Sequence, residues 1–414
     1  MSAQETQDEK LPLPLWELVA LFVAMTSLVA LAIDMMLPAL DDIASDLGVI
    51  RQNDQQYVIA TYLAGFGASQ IFYGPLADRF GRKPVMLTAI GLFITFTVIC
   101  ALTPSFTLLL VARFFQGAAA AASRVMTVAI ARDLTSGRRM AEIMSMVMTA
   151  FMAVPVLAPG IGQLVLTVFE WRSIFWLLIV FAIGLAFWIH VRLPETLHPE
   201  YRKPLDPKSV ASAFREAITH RIMLGYTLAA LSFFGGLYAF LGSSQQIFVE
   251  HFGLGDGHFP LAFAAIAIGM GLTSFINSRL VNRLGQRRLA HGALLAFTAI
   301  SIIHTIMLLA GVDNLYIFVF TLAAAMALLG LIAANFSSIA MEPMGHIAGT
   351  ASAAYGFVSG VGAAIIGAVI GQLYNGTAIP LIAGQASLGL MAVIIVYITE
   401  RGRLCGVGET SETR

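Results

Sequence analysis

Charged residues are scarce in this sequence: Asp, Glu, Lys and Arg make up 12% of its 414 residues, and their formal charges sum to zero. A soluble domain typically has about 25% charged residues, so a soluble fold is not expected. Because the net charge is zero, no nucleic-acid partner is predicted. Of the two cysteines, Cys100 lies in an apolar segment and Cys405 in a polar tail, so no structural disulfide is predicted.

The sequence patterns of common catalytic sites are missing as well. There is no G-x-x-x-x-G-K-[ST] phosphate-binding loop, so ATP is not expected as a direct energy source. Neither a metal-ligand cluster nor a G-x-S-x-G nucleophile motif is found. The sequence therefore predicts no enzyme activity, no cofactor and no bound metal.

Long apolar stretches dominate instead, and 58% of the residues are hydrophobic. Stretches of about 20 apolar residues indicate membrane-spanning helices, because a helix satisfies its own backbone groups in lipid. A soluble helical core would show one apolar stripe on each helix, whereas here apolar residues run around the whole helix. The pattern predicts an all-α membrane protein with twelve spans, near residues 16–38, 55–75, 84–103, 106–131, 142–168, 171–192, 222–246, 259–279, 289–310, 314–337, 346–371 and 377–399.

Basic residues are distributed unevenly between the two predicted sides of this bundle. If the N-terminus marks one side, only Arg51 and Arg172 of the 24 Lys and Arg residues fall on the other, while Arg113 and Arg124 lie inside a span. The positive-inside rule makes the basic side cytoplasmic. Both termini and the loop between the sixth and seventh spans are therefore expected in the cytoplasm.

The chain also divides into two halves. A segment rich in proline and charge, residues 193–221, separates an N-terminal six-helix half (1–192) from a C-terminal six-helix half (222–414). DRFGRK at 78–83 recurs as NRLGQR at 282–287, between the second and third spans of each half. Repeated halves are a common transporter design, with the substrate site between them near the membrane midplane.

The loop between the second and third spans reads GPLADRFGRKP, residues 74–84. Gly74 would let two helices approach closely, Gly81 would permit a turn, and Asp78 can pair with arginines or cap a helix N-terminus. This segment resembles the loop motif of the major facilitator superfamily and is interpreted as a conformational latch; the alternative is simple anchoring by basic residues. Asn282 replaces Asp78 in the second copy, so a charge latch is expected to be weaker there.

Further motifs extend the resemblance over most of the chain. These are DMMLPAL (34–40), RFFQG (113–117), APGIG (158–162) and MEPMGHIAGTASA (341–353). Together they resemble the Bcr/CflA, or bicyclomycin-resistance, branch of proton-coupled drug efflux transporters. The resemblance implies the major facilitator fold and proton-driven export of small amphipathic compounds. It also implies a monomer that lies in the bacterial inner membrane in contact with lipid. The residues assigned to the latch are Gly74, Asp78, Arg79, Gly81, Arg82, Pro159 and Gly162.

Asp34 and Arg113 are ionisable residues predicted at the same depth inside their spans. Charges at the centre of a span cost about 2.5–3.5 kcal/mol on insertion scales, which marks them as functional candidates. Pro38 removes the helical donor to the Asp34 carbonyl. A nearby arginine favours a charged carboxylate, whereas desolvation favours the protonated form. The hypothesis is that Asp34 carries a coupling proton and that Arg113 adjusts how readily Asp34 binds it. The alternative is a static ion pair that orients two helices.

Arg124 follows Arg113 by about three turns on nearly the same helix face. It is predicted to attract an acidic group of a substrate, or else to bond a carbonyl. Aromatic residues with a polar minority fit an amphipathic drug cavity, although core or lipid-facing packing is the alternative for many of them. The candidate substrate contacts are Tyr62, Phe66, Gln70, Gln116, Arg124, Phe233, Tyr238, Gln245, Asn335 and Tyr355.

Two rival functions fit the same composition. A proton symporter or facilitator could import a metabolite, but the Pro/Gly run of the fifth span argues against it. A membrane enzyme or receptor would need a catalytic constellation or a large extramembrane domain, and the sequence shows neither.

Overall fold

A computed structural model describes residues 11–135, 137–202, 207–255 and 257–405. Twelve long helices form the bundle, which confirms the predicted all-helical architecture. They are α1 (Leu15–Asp34), α2 (Tyr57–Phe80), α3 (Arg82–Leu102), α4 (Phe106–Leu134), α5 (in two pieces, Gly137–Phe151 and Ala153–Leu166), α6 (Arg172–Arg192), α7 (Arg221–Gln245), α8 (Phe259–Leu284), α9 (Gln286–Leu309), α10 (Leu315–Met341), α11 (Ala348–Gln372) and α12 (Ile379–Thr399).

Length and apolar composition alone give ten candidate spans among the described residues. One of these, residues 315–372, contains both α10 and α11, which a 3₁₀ turn at Glu342–Ile347 joins. Helix α2 is not among the ten, because polar side chains such as Ser69 and Gln70 lower its mean hydropathy. Dividing the long segment and adding α2 gives the twelve helices.

The first helix ends earlier than the predicted span. Helix α1 stops at Asp34, a 3₁₀ turn follows at Leu37–Ala39, and a short helix resumes at Leu40–Asp46. Pro38 has no N–H to donate to the Asp34 carbonyl. The backbone N–H of Met36 bonds the Ile33 carbonyl at 3.1 Å, so the carbonyl one residue earlier lacks its usual donor. The break therefore leaves carbonyl groups at the end of α1 without donors from their own helix.

The fifth span was predicted as continuous but is broken at Met152. Pro155 cannot donate to the Phe151 carbonyl, and such a loss is a common cause of helix kinks. The second piece packs onto the break in α1. A Cβ atom at Gly162 would overlap the Met35 carbonyl oxygen, so only glycine fits this crossing.

The central segment is more regular than the sequence predicts. The polar loop expected at 193–221 contains a helix, Pro207–Thr219. Its Phe214 ring packs edge-on against Phe357 of α11, with 6.1 Å between centroids. The helix therefore packs on the C-terminal half; residues 203–206 of the predicted loop lie outside the described residues.

Hydrogen bonds between the halves cluster at the end of the bundle opposite the DRFGRK loop. We call the DRFGRK end the basic side and the other end the opposite side. Gln56 Nε2 donates to Gln246 Oε1 at 2.5 Å and to the Gly371 carbonyl at 3.1 Å. Gln245 donates to Asp41, and Asn53 Nδ2 donates to the Gln372 carbonyl at 3.1 Å. These residues form the polar gate: Asp41, Asn53, Gln56, Gln245, Gln246 and Gln372.

Helices α2 and α11 touch in the middle of the bundle and separate toward the basic side. A Cβ at Gly360 would lie 3.0 Å from the Gly67 Cα, so the backbones meet there. By contrast, a Cβ at Gly74 of α2 or Gly349 of α11 would meet nothing within 4 Å. The described structure is thus closed on the opposite side and open between these helices on the basic side.

Candidate functional site

At the break in α1, Asp34 lies beside residues of α2 and α4. We call Asp34, Tyr62 and Arg113 the Asp34 cluster. Asp34 is 5% exposed, and the other two are fully buried. The Arg113 guanidinium lies 4.4 Å from the Tyr62 ring centroid, and Tyr62 is close enough to Asp34 for an electrostatic interaction. The break thus places an acid, a phenol and a guanidinium in one buried site.

The possible ion pair between Asp34 and Arg113 is not formed in the described structure. Arg113 donates instead to the Val58 carbonyl from Nε at 3.1 Å, to Gln116 Oε1 from Nη1 at 2.7 Å, and to the Ala32 carbonyl from Nη2 at 3.1 Å. The last carbonyls of a helix lack intrahelical donors and carry partial negative charge. Arg113 therefore caps the end of α1 next to Asp34 and does not neutralise its carboxyl group.

The Asp34 carboxyl group makes no hydrogen bond or ion pair with another residue in the part of the chain that the structure describes. The Tyr62 hydroxyl is also buried without a hydrogen-bond partner. Most buried polar groups are hydrogen-bonded, because burial without a partner is costly. Two such groups side by side at a helix break indicate a site with a role beyond packing.

The predicted latch is built around a turn at Gly81, between α2 and α3. Gly81 has φ +102° and ψ 157°, a conformation that glycine alone adopts readily. Glu195 accepts hydrogen bonds from the backbone N–H groups of Arg82 (2.9 Å) and Lys83 (3.2 Å), and so caps the start of α3. The prediction that Gly81 permits a turn is confirmed.

Arg82 holds this turn against two other helices. It is 4% exposed, and its guanidinium donates to Asp78 at 2.6 Å and to Asp133 of α4 at 2.9 Å. The predicted pairing of Asp78 with an arginine is therefore confirmed. The predicted close approach at Gly74 is not seen in the described structure, because a Cβ atom there would meet nothing within 4 Å. Arg79 lies over its neighbour Phe80, 5.3 Å from the ring centroid.

The second copy of the motif forms an equally charged network, contrary to the expectation from Asn282. Gly285 has φ +80° and ψ 152°, nearly the conformation of Gly81. Arg287 donates to Glu400 at 2.9 Å and to Glu342 at 2.7 Å. Burial acts to raise the pKa of Glu400, but hydrogen bonds from Tyr226 and Arg287 outweigh it and leave that pKa below its usual value. Arg287 aligns with Lys83 of the first copy, one residue after the position of Arg82. A comparison based on Asp78 and Asn282 therefore did not predict its two ion pairs.

We expect Gly81→Ala to destabilise the protein by about 1–3 kcal/mol, because alanine is strained at this φ and ψ. Its Cβ would also overlap the Glu195 carboxylate that caps α3. Gly74→Ala is the matched control and should leave the melting temperature unchanged. Thermal unfolding of the purified variants measures both effects. Equal melting temperatures for the two variants would contradict this account of the turn.

Most of the predicted substrate contacts are packed inside one half or in the polar gate. Gln116 accepts from Arg113 and donates to Thr97 at 2.8 Å. Asn335 donates to Asn277 at 2.7 Å, and Gln245 donates to Asp41. Neighbouring side chains already satisfy these polar groups, except that Gln245 Oε1 has no hydrogen-bond partner among the described residues. The buried candidates are Tyr62, Phe66, Gln116, Phe233, Gln245 and Asn335, and the Tyr62 hydroxyl also lacks such a partner.

The other candidates lie where the two halves face each other. Arg124 is exposed, although it lies about 15 Å along α4 from the basic-side end. Its guanidinium interacts electrostatically with Tyr238 of α7 and Tyr355 of α11. Gln70 of α2 packs against Gly356, next to Tyr355. We call Arg124, Tyr238 and Tyr355 the cleft cluster, because they face each other across the gap between the halves.

The polar gate was not predicted. Four of its amide side chains occur in two runs, QNDQQ at 52–56 and SSQQ at 243–246, and the fifth is Gln372. The first run lies at the start of a predicted span and the second at the end of one, both on the side opposite the basic loops, and this shared position was the available signal.

An apolar cavity of about 720 Å³ lies outside the gap between the halves, among α1, α5 and α6. Ser27 is the polar residue among its lining side chains. In a lipid bilayer an apolar groove of this kind is in contact with acyl chains, and it adds no chemistry to the Asp34 cluster.

Comparisons with known proteins agree on one family. The sequence model of the Major Facilitator Superfamily matches residues 22–367. A bicyclomycin resistance protein homolog from Haemophilus influenzae is 30% identical over 372 residues, which cover 88% of this chain and 91% of that protein. Multidrug resistance protein D of Escherichia coli is 29% identical over 369 residues, 87% of this chain and 88% of that one. The crystal structure of the human organic anion transporter MFSD10 superposes with a TM-score of 0.67 at 18% identity, covers 93% of this chain and 100% of that one, and shows the fold alone.

Proposed function

Since the chain belongs to the Major Facilitator Superfamily and resembles drug-resistance transporters along most of its length, we propose that it exports small amphipathic toxic compounds in exchange for protons. Export proceeds by alternating access across a bacterial inner membrane, with the basic side in the cytoplasm. The observation that carries this proposal is the buried, unpartnered carboxyl group of Asp34 at the break in α1.

Asp34 acts as the proton carrier because its two charge states need different surroundings. A buried carboxylate without a hydrogen bond or cation is costly, so the described arrangement suits the protonated form. After the proton leaves, the charge must be solvated or neutralised. Arg113 is the nearest cation of the cluster, and it can turn to Asp34 only by releasing the Ala32 carbonyl. Loss of the proton thus loosens the cap that holds the end of α1.

The second piece of α5 connects this event to the rest of the bundle. Gly162 packs directly on the backbone of Met35, which follows Asp34, and the same piece contacts α8 of the other half through Gly160 and Pro260. A change in the end of α1 therefore displaces a helix that lies between the two halves. This arrangement supports a role for the APGIG segment and Pro159 in coupling.

The polar gate supports alternating access because it can open at modest cost. Amide groups exchange protein partners for water with a net loss of about 0.5–1.5 kcal/mol for each hydrogen bond. On the basic side, Gly74 and Gly349 have no side chains that would oppose closure of α2 against α11. One proton that crosses about 150 mV supplies about 3.5 kcal/mol. This energy sustains a substrate gradient of roughly several hundred-fold.

Transport in inverted membrane vesicles tests the proposal. Vesicles that contain the protein and are energised with a pH gradient, acid inside, should accumulate ethidium or chloramphenicol, and an uncoupler should abolish the accumulation. Vesicles without the protein are the control. Accumulation in right-side-out vesicles instead would show an importer, and accumulation that survives the uncoupler would exclude proton coupling.

A further inference from the structure

Arg124 is a charged side chain in the middle of a membrane-spanning helix, and no described carboxylate lies within ion-pair distance of it. In lipid such a charge is expensive, so an exposed arginine at this depth must face water. Its interaction with Tyr238 and Tyr355, which belong to the other half, places it in the gap between the halves. Arg124 makes no ion pair with a described carboxylate, whereas Arg82, Arg192 and Arg287 each do.

Tyr355 provides a second observation that points to a ligand. Its side chain is 6% exposed, and its hydroxyl oxygen is buried without a hydrogen-bond partner among the described residues. The Arg124 guanidinium interacts electrostatically with both tyrosines. An arginine and two phenols present mainly hydrogen-bond donors, and the ligand group that such a set satisfies is an acceptor with negative charge.

We propose that the cleft cluster binds the carboxylate of small amphipathic acids, so that aromatic monocarboxylates are substrates of this transporter. The transport part of this inference rests on the proposed function, while the binding site does not. The guanidinium of Arg124 receives the carboxylate, the Tyr355 hydroxyl donates a hydrogen bond to it, and the tyrosine rings contact the apolar part. A carboxylate bridging Arg124 and Tyr355 also connects α4 of one half with α11 of the other. Bound substrate therefore promotes closure of the basic side.

A matched pair of ligands tests the site: nalidixic acid, an aromatic carboxylate at neutral pH, and its uncharged ethyl ester. Binding to the purified full-length protein is measured by titration calorimetry. The wild-type protein should bind the acid at least about tenfold more tightly than the ester, because charge-assisted hydrogen bonds are strong. Arg124→Gln should reduce the ratio to about one and leave ester binding within about twofold. These fold-changes correspond to about 1.4 kcal/mol for each factor of ten.

Arg132→Gln is the matched control, since Arg132 is an exposed arginine on the same helix nearer the basic-side end. It should keep the preference for the acid. Tyr355→Phe removes one hydroxyl without changing the ring and should weaken acid binding severalfold, so the site stays testable if Arg124→Gln fails to fold. Equal binding of acid and ester by the wild-type protein would overturn the proposal. A preference that survives both Arg124→Gln and Tyr355→Phe would overturn it too, as would complete displacement of the acid by equimolar chloride.

The transport assay separates this inference from the proposed function. If proton-driven export of neutral compounds proceeds while the acid shows no preferential binding, the cleft cluster has been misassigned. If the acid binds through Arg124 but no compound is moved by a proton gradient, the site stands and the proposed function fails.

Discussion

Asp34→Asn is expected to abolish proton-driven accumulation of substrate while leaving substrate binding and downhill exchange in place. Asparagine has nearly the shape of a protonated aspartic acid, so it fits the buried position at the end of α1. It cannot release a proton, and the cluster would stay in the arrangement that the structure shows. Because Asp34 makes no hydrogen bond or ion pair with a described residue, the substitution breaks no contact, and stability should not fall.

The measurement is substrate uptake into proteoliposomes with and without an imposed pH gradient. Asp46→Asn is the matched control, because it makes the same chemical change twelve residues further along. The Asp46 carboxylate pairs with Arg172, and both side chains are partly exposed. Exposed ion pairs of this kind contribute little to the stability of the folded protein. The control should keep wild-type accumulation. Gradient-driven accumulation by Asp34→Asn at the wild-type level would show that another group carries the proton.

Arg113→Lys is expected to destabilise the protein and to impair coupled transport, although the positive charge is kept. Lysine has one compact ammonium group and cannot span the Val58 carbonyl, the Gln116 amide and the Ala32 carbonyl at once. Loss of two charge-assisted hydrogen bonds in a buried site costs on the order of 3 kcal/mol. The end of α1 would lose its cap, and the Asp34 cluster would lose its fixed geometry.

Thermal unfolding and proteoliposome transport together test this prediction. Arg132→Lys is the control, since that side chain is exposed on the same helix, and it should match the wild type in both assays. A melting temperature for Arg113→Lys equal to that of the wild type would contradict the capping role. A lowered melting temperature with full coupling would show that the cap is structural alone.

The parts of this fold that depend on local chemistry were predictable from the sequence. Apolar composition predicts the helices, Pro38 predicts that the Asp34 carbonyl lacks its helical donor, and Gly81 predicts the turn between α2 and α3. Each of these features is determined by a residue and its close neighbours along the chain. The repeat of DRFGRK as NRLGQR also predicts the matching turn at Gly285, which has nearly the same backbone conformation.

The contacts made by long side chains were harder to predict. Arg113 and Asp34 do share a depth, but the sequence does not show that the break in α1 offers a carbonyl that competes for the guanidinium. The same limit applies to Arg287, whose two carboxylate partners come from the ends of other helices. A sequence shows which groups need partners, whereas packing decides which partner each group obtains.

Contacts between the halves depend on the conformation as well as on the sequence. A Cβ atom at Gly74 would meet nothing within 4 Å in the described structure, so its predicted packing is not seen there. Gln56 and Gln246 meet because the opposite side is closed. Such contacts join residues far apart in the sequence, so they do not follow from the order of residues along the chain.

If Asp34 carries the coupling proton, the binding of substrate should release that proton from the protein. Proton release on substrate binding can be measured directly. A neutral compound that the vesicle assay shows to be exported is added to purified protein in weakly buffered detergent solution with a pH-sensitive dye. We expect the wild-type protein to release protons in proportion to bound compound, and Asp34→Asn to bind the compound without release. Proton release of equal size from both proteins would contradict this expectation.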